Sequence, residues 1–349
     1  MTDRLPQAGS AAMRAARRRD PMSLLQNYWP IILTALALAL VPLRYGDSRA
    51  TMGIAVAGVL FATYAVAFNI IFGSTGQLFL CVGALAGVGA FSSAILADRA
   101  GLPLLLSMVL ATLLSSALGA VFSWLVVRRS LDTIFTGILT LTLSLSFANL
   151  ILGQRNWTGG ETGLVVDAGS ETLLGSQIPP YYVMLGLLVI FLVIYRLLQQ
   201  SHLGWAFRAL RDDEVAAELA GVNVARYRIY AGAIGSAMLG MAGAVWAHSE
   251  GFIGPSTFAF GSVDVRVIVM LAFGGIGTLL GPVLGAVVFT VVDEFLVSFS
   301  QLREALYGGV IIVLFLGFKQ GVMFEVRRIA IKLRRRPGQA APRAQGSRT

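Results

Sequence analysis

The sequence predicts an all-α integral membrane protein, a polytopic helical bundle of about ten spans with at least one broken or re-entrant helix, and three observations carry that expectation. Of the 349 residues 56% are hydrophobic and only 13% charged, with mean hydropathy +0.76. A soluble domain of this length has no core large enough to hide so much apolar surface, whereas lipid accepts it. Apolar runs close to the ~20 residues a helix needs to cross a bilayer recur along the chain. The net charge of +9 is also concentrated at the two ends. Arg14, Arg17, Arg18 and Arg19 precede the first apolar run, and Arg327, Arg328, Lys332, Arg334, Arg335 and Arg336 follow the last. No aromatic residues interleave with these clusters as a base-stacking groove requires, so nucleic acid is not their partner. Arginines flanking apolar runs mark the cytoplasmic face and meet anionic lipid there.

Residues 1–27 read as a basic cytoplasmic segment. The stretch from Tyr28 to Leu43 lacks a small-x-small cleavage signal before Arg44, so it is an uncleaved first span. Further spans fall at 51–72, 77–97, 103–127, 131–152, 181–198, 229–248, 264–280, 282–298 and 305–318. The transmembrane domain is therefore 28–318, and 319–349 is a basic, disordered cytoplasmic tail. With the N-terminus inside, ten crossings return the C-terminus to the same side. Arg128, Arg129 and the loop 199–228 then face the cytoplasm. The loop 153–180, where Glu161, Asp167 and Glu171 oppose Arg155, lies outside.

Glycine is abundant, at 39 residues. Gly277, Gly281 and Gly285 recur every four residues, as do Gly83 and Gly87, a spacing that lets helix backbones approach closely in lipid. Pro282 beside Gly281 breaks one apolar stretch, and Gly73-Ser-Thr-Gly76-Gln77 suggests a second break. Unwound backbone at membrane depth is tolerated where it is buried or lines a cavity. The candidates for a translocation path are Gly76, Gln77, Gly83, Gly274, Gly275, Gly277, Gly281 and Pro282.

Several chemistries lack their residues. No Gly-x-x-x-x-Gly-Lys-Ser/Thr run exists, and neither lysine, Lys319 nor Lys332, follows a glycine; this chain does not bind ATP by a phosphate loop. The set Gly275, Gly277 and Gly281 misses the dinucleotide spacing. Neither His-Glu-x-x-His nor Gly-x-Ser-x-Gly occurs. With one cysteine, Cys81, and two distant histidines, His202 and His248, there is no metal spacing, and no catalytic residue is assigned. Thr140, Thr142, Ser144, Ser146 and Asn149 spread around a helix rather than cluster, which argues against a membrane enzyme. Asp264 and Arg266 open one span, and Asp293 and Glu294 close the next. Those positions predict snorkelling or interfacial pairing, not the mid-membrane carboxylate of a proton-driven carrier.

The loop 199–228 carries a short helix. Asp212 is placed to cap it, Asp213 and Glu214 to suit its positive end, and Gly221 to end it. Ala216, Ala217 and Ala220 form a small face, with Arg208, Arg211, Glu214 and Glu218 around it. From spacing alone the segment is equally a solvated connector or a docking point.

This stretch resembles the Glu-Ala-Ala coupling loop of ABC importer permeases, through Glu214, Ala216, Ala217 and Gly221. More broadly, residues 50–318 resemble permeases of the branched-chain amino-acid ABC uptake family. The resemblance runs, in order, through Gly76-Gln77-Leu78, the outer-loop motif Thr158, Gly159, Gly160 and Gly163 with Leu164, the segment 204–248 from Gly204, and Gly274-Gly275-Ile276-Gly277-Thr278 to Gly281-Pro282. It implies a multi-pass subunit of the bacterial inner membrane that works with a second homologous permease, two ATPase subunits and a periplasmic solute-binding protein. It also implies that this chain binds no cofactor, ATP and Mg being used by the partner subunits. A coupling role for Arg208, Arg211 and Glu214 implies that charge reversal at Arg211 or Glu214 uncouples transport from ATP. Phe79, Cys81 and Val82 replace the Ser, Gly and His usual after Gly-Gln-Leu, and Arg266 stands where relatives have an acidic or neutral residue. The solute is thus a branched-chain amino acid, or urea, a short amide or another small solute.

Overall fold

The computed structural model describes residues 21–45, 49–166 and 178–297, with scattered positions from 306 to 323. The basic segment before 21, most of the 305–318 span and nearly all of the tail from 319 lie outside the described residues. So do Asp167 and Glu171.

Helices dominate the described residues: α1 (Pro21–Ala39), α2 (Val41–Tyr45), α3 (Arg49–Thr75), α4 (Val82–Arg99), α5 (Leu104–Arg128), α6 (Thr133–Gly153), α7 (Arg155–Thr158), α8 (Pro179–Gln200), α9 (His202–Asp212), α10 (Glu214–Leu219), α11 (Val224–Glu250), α12 (Asp264–Gly274) and α13 (Gly281–Val297). Two short strands, β1 (Leu164–Val165) and β2 (Phe252–Ile253), pair antiparallel with Leu164 opposite Ile253.

Among the described residues five helices are long and apolar enough to cross a membrane, within α3, α5, α6, α8 and α11, and Tyr28–Leu43 is a shorter apolar helix. Ten complete crossings are not reproduced. The span expected at 77–97 begins instead as non-helical backbone, and α4 starts only at Val82. The span expected at 264–280 is the 11-residue α12. At ~1.5 Å per residue it is ~16 Å long, about half of a ~30 Å hydrocarbon core. The break that follows occupies 275–280 and precedes Pro282. That proline sits in the first turn of α13, where its missing N–H leaves no helical hydrogen bond unmade.

The centre of the bundle is α11 with α3, α4 and α5 around it, joined by small residues. A Cβ on Gly89 would lie 2.0 Å from the Gly240 carbonyl oxygen, and one on Gly243 2.0 Å from that of Ala86. Ser115 donates to the carbonyls of Leu85 (3.0 Å) and Ser236 (2.8 Å), and Ser116 to that of Ala233 (3.0 Å). Where lipid removes the hydrophobic drive between helices, close backbone contact and such hydrogen bonds hold them together. Leu105, Leu113, Ile134, Phe135 and Ile138 are exposed on α5 and α6, the apolar outer surface a bilayer solvates.

Contacts sort the loops into two ends. Tyr181 donates to the Leu38 carbonyl at 2.8 Å, Arg99 stacks over Trp157 at 5.0 Å, and β1 meets β2, so Ala39, Arg99, 155–165 and 251–253 share one end. At the other, Ser130 and Asp132 line a cleft with Glu214, Glu218 and Arg228. Residues 153–166 and the loop 199–228 thus lie at opposite ends.

Candidate functional site

The two helix breaks and the α9–α10 segment converge at one end of the bundle. After α3 the chain turns at Gly76, whose φ is +71°, and stays non-helical to Cys81. Buried Gln77 ties this break down, donating through Nε2 to Thr75 Oγ1 and to the Arg228 carbonyl of α11, both at 3.0 Å. Asn69, fully buried in α3, holds the second break. Its Nδ2 donates to the Thr278 carbonyl at 2.8 Å, and its Oδ1 accepts from the Gly277 N–H at 2.8 Å. At Gly277 φ is +75°, a left-handed backbone that favours glycine, and the Arg211 guanidinium packs against it. Around the break, Gly274 and Gly281 touch backbone to backbone, and Thr278 Oγ1 donates to the carbonyl of Gly275 at 2.7 Å. Of the expected path residues, Gly76, Gln77, Gly274, Gly275, Gly277, Gly281 and Pro282 therefore gather at this end.

Gly83 lies elsewhere, where the first residues of α4 and of the short α12 meet. Its N–H donates to Asp264 Oδ1 at 3.2 Å, and Ser144 Oγ donates to Asp264 Oδ2 at 3.3 Å. Ser144 is eleven residues past Thr133 and nine short of Gly153 in α6, so the junction is at mid-depth. From it α4 runs toward the Arg99 end and α12 toward the Gly277 end. The sequence placed Asp264 at an interface, snorkelling or paired there; in the structure it is fully buried with these two donors. The cause is the segment 254–263, a short 3-10 turn followed by non-helical chain, which brings Phe258 beside Gly83 at mid-depth before α12 begins. A carboxyl at the positive ends of two helices fills the place where an anion would bind, and is stabilised by both dipoles. Arg266 and Asp293 do pair, at 3.5 Å.

The surface helix differs from expectation in detail. Asp212 ends α9, and Asp213 is the cap, its Oδ1 accepting from the Ala216 N–H at 3.0 Å. Asp213 is extended, with φ −160° and ψ 112°, the backbone region an N-cap uses. The helix is accordingly Glu214–Leu219, and Gly221, at φ +85°, ends it as expected. Its alanine face is split: Ala217 is buried, Ala216 and Ala220 exposed. Val215 and Leu219 project, 67% and 85% exposed. Much of the charge placed here for a partner is engaged within the chain. Arg211 donates to the Gly73 carbonyl at 3.4 Å, Glu214 pairs with Arg228 at 2.8 Å, and Arg208 stacks on Trp205 at 4.6 Å. Gly204 is buried against the Leu198 carbonyl and seats α9 on the end of α8.

At the opposite end Thr158 donates to the Ile151 carbonyl at 2.6 Å and accepts from Gly160 N–H at 3.3 Å. Gly159 and Gly163, at φ +77° and +72°, then turn the chain into β1. This motif ties the end of α6 to the strand that follows α11. Of the α6 polar residues, Thr140 and Ser144 are buried and Thr142 and Asn149 exposed, so no polar centre forms. Among the described residues no group of three or more His, Cys, Asp or Glu could hold a metal.

Residue Asn69 and the projecting pair Val215 and Leu219 were not singled out from the sequence. An amide inside an otherwise apolar span is the signal that marks Asn69.

Comparison with known proteins closes the description. The family described as branched-chain amino acid transport system / permease component matches residues 50–318. The chain is 27% identical over 330 residues to the high-affinity branched-chain amino acid transport system permease protein LivM of Salmonella typhimurium, covering 87% of this chain and 77% of the relative. It is 29% identical over 275 residues to the autoinducer 2 import system permease protein LsrC of an Enterobacter species, covering 75% and 77%. It is 22% identical over 194 residues to the ribose import permease protein RbsC of Haemophilus influenzae, covering 54% and 59%. No solved structure matches.

Proposed function

We infer, from the premise that this chain belongs to the branched-chain amino acid transport system permease family, that it is the membrane subunit of an ATP-driven importer whose α10 docks the ATPase. The chain is a transport permease of the inner membrane, and its family works with ATPase and solute-binding partners. The assembly proposed is this chain, a second homologous permease, two ATPase subunits and a periplasmic binding protein. Both termini and α9–α10 face the cytoplasm, as the basic clusters require. No covalent step is assigned to the permease. ATP and Mg act in the partner subunits, whose closure shifts the bundle between two states that each contact the partners differently.

The observation that carries this reading is α10 itself. It presents exposed Val215 and Leu219 beyond the bundle end, and its neighbours reach both helix breaks: Arg228 joins Glu214 to Gln77 at the first, and Arg211, which donates to the Gly73 carbonyl, packs against Gly277 at the second. A push on α10 is thereby delivered to the segments whose backbone is unwound. Val215→Asp with Leu219→Asp is expected to lower L-leucine uptake and ATPase co-purification roughly tenfold or more, the loss typical of a disrupted interface hot spot. Unchanged co-purification and uptake would overturn the docking assignment. Arg211→Glu is expected to lower uptake while leaving ATPase co-purification intact, because its guanidinium faces Gly73 and Gly277. Lost co-purification in that variant would return Arg211 to the docking surface.

The solute proposed is a branched-chain amino acid, supported by the family and by the LivM relative, which covers more of the chain than LsrC or RbsC. The second reading, a sugar-like or other small neutral solute, is favoured by the likeness to those two. Uptake of L-leucine rather than D-ribose by the assembled transporter decides between them.

A further inference from the structure

Arg266 and Asp293 border a cavity of about 370 Å³ between α3, α12 and α13 that the functional reading above does not use. Sites for small molecules fall in the range of ~300–1,000 Å³. Arg266 Nη1 and Asp293 Oδ2 lie 3.5 Å apart, with side chains 34% and 23% exposed. That separation is longer than the ~2.7–2.9 Å of a firm charge-assisted bond. The guanidinium stands 5.9 Å from the Phe61 ring. Ile54, Gly58 and Met270 complete an apolar wall.

Depth gives the pair its meaning. Arg266 is two residues beyond the mid-depth Asp264, and Asp293 is twelve residues beyond Gly281, ~18 Å along α13. Ionisable residues at such depth face a water-filled cavity or protein, not lipid. A cation and an anion side by side above an apolar wall match the two charged ends and the hydrocarbon side chain of one ligand class. We propose that this pocket is a binding station for a zwitterionic aliphatic amino acid. Its carboxylate sits on Arg266, its ammonium on Asp293, and its side chain on Phe61 and Met270. The Arg266–Asp293 contact opens to admit it. This rests on the amino-acid import reading, and adds to that reading the site and the charge pattern of the solute.

The test uses the full-length chain in nanodiscs for [14C]L-leucine binding and the assembled transporter in proteoliposomes for uptake. Arg266→Gln and Asp293→Asn are each expected to lower leucine binding and uptake roughly tenfold or more, the loss of one charge-assisted contact, with ATPase co-purification unchanged. Arg266→Lys is expected to retain most binding. In the wild type, N-acetyl-leucine and leucine methyl ester, each lacking one charge, are expected to displace leucine at least about tenfold less well than leucine itself. This competition decides the matter if both variants misassemble. Equal displacement by the capped compounds, or wild-type binding and uptake in both variants, would overturn the proposal. Leucine uptake with silent variants removes the pocket and leaves the import reading standing. A wild-type transporter that carries D-ribose and not L-leucine removes both.

Discussion

Gly243→Leu is expected to prevent the full-length chain from folding, seen as loss of the monodisperse peak when detergent-extracted protein is run on fluorescence size-exclusion chromatography. The physical reason lies in backbone contact. A Cβ at this position would lie 2.0 Å from the Ala86 carbonyl oxygen, 2.6 Å from its carbon and 3.0 Å from Ala86 Cα. The obstruction is main chain, so no rotamer change relieves it. Three residues away a Cβ on Gly89 would meet the Gly240 carbonyl at 2.0 Å, so α4 and α11 grip each other at two adjacent points. Overpacking a core normally costs ~1–3 kcal/mol and sometimes more; a side chain wedged into a contact of this kind must separate the two helices along their length. Gly243→Ala is expected to fold poorly but detectably. Gly186→Leu, whose Cβ meets nothing within 4 Å, is expected to behave as wild type. Normal folding of Gly243→Leu would show that α4 and α11 do not touch here.

The second large effect is expected at Asp264. Replacing it by alanine leaves the Gly83 N–H and the Ser144 hydroxyl without their acceptor in a site the structure closes from solvent. Each orphaned buried group costs ~1–3 kcal/mol, so Asp264→Ala is expected to destabilise the chain by about 2–5 kcal/mol. Asp264→Asn keeps one oxygen acceptor and is expected to lose less. Thermal unfolding of the full-length chain in nanodiscs measures both. Equal midpoints for wild type and Asp264→Ala would contradict the buried junction of Asp264 with Gly83 and Ser144. Uptake should fall with stability here, because the junction fixes where α4 and α12 begin.

How far these features were legible depends on the kind of signal. Long apolar runs at 51–72, 103–127, 131–152, 181–198 and 229–248 each became one helix, because length and hydropathy are enough to specify a crossing. Both breaks were suggested by the sequence, since Gly76-Gln77 and the glycines before Pro282 weaken a helix there, although the expected spans 77–97 and 264–280 ran through the residues that are non-helical. Asp264 was misplaced for an identifiable reason. A residue opening an apolar run is interfacial only if the helix starts at the interface, and α12 starts at mid-depth. A usable signal was present: only Val267 to Phe273 separate Arg266 from the double glycine, too few apolar residues to span a bilayer. Arg211 shows a different gap. Its charge beside an exposed helix suggested a partner, but whether a long side chain turns outward or toward Gly73 is settled by three-dimensional neighbours. For α10 the sequence supplied the right residues with a shifted cap, since Asp212 and Asp213 cap equally well until the end of α9 is known.

Docking of the ATPase on α10 is tested at position 219. With a photo-crosslinking amino acid in place of Leu219, in membranes holding the whole transporter, a covalent adduct is expected between this chain and the ATPase subunit, lost when Val215 is also replaced by aspartate. An adduct only with lipid, or only with a periplasmic protein, would contradict that docking.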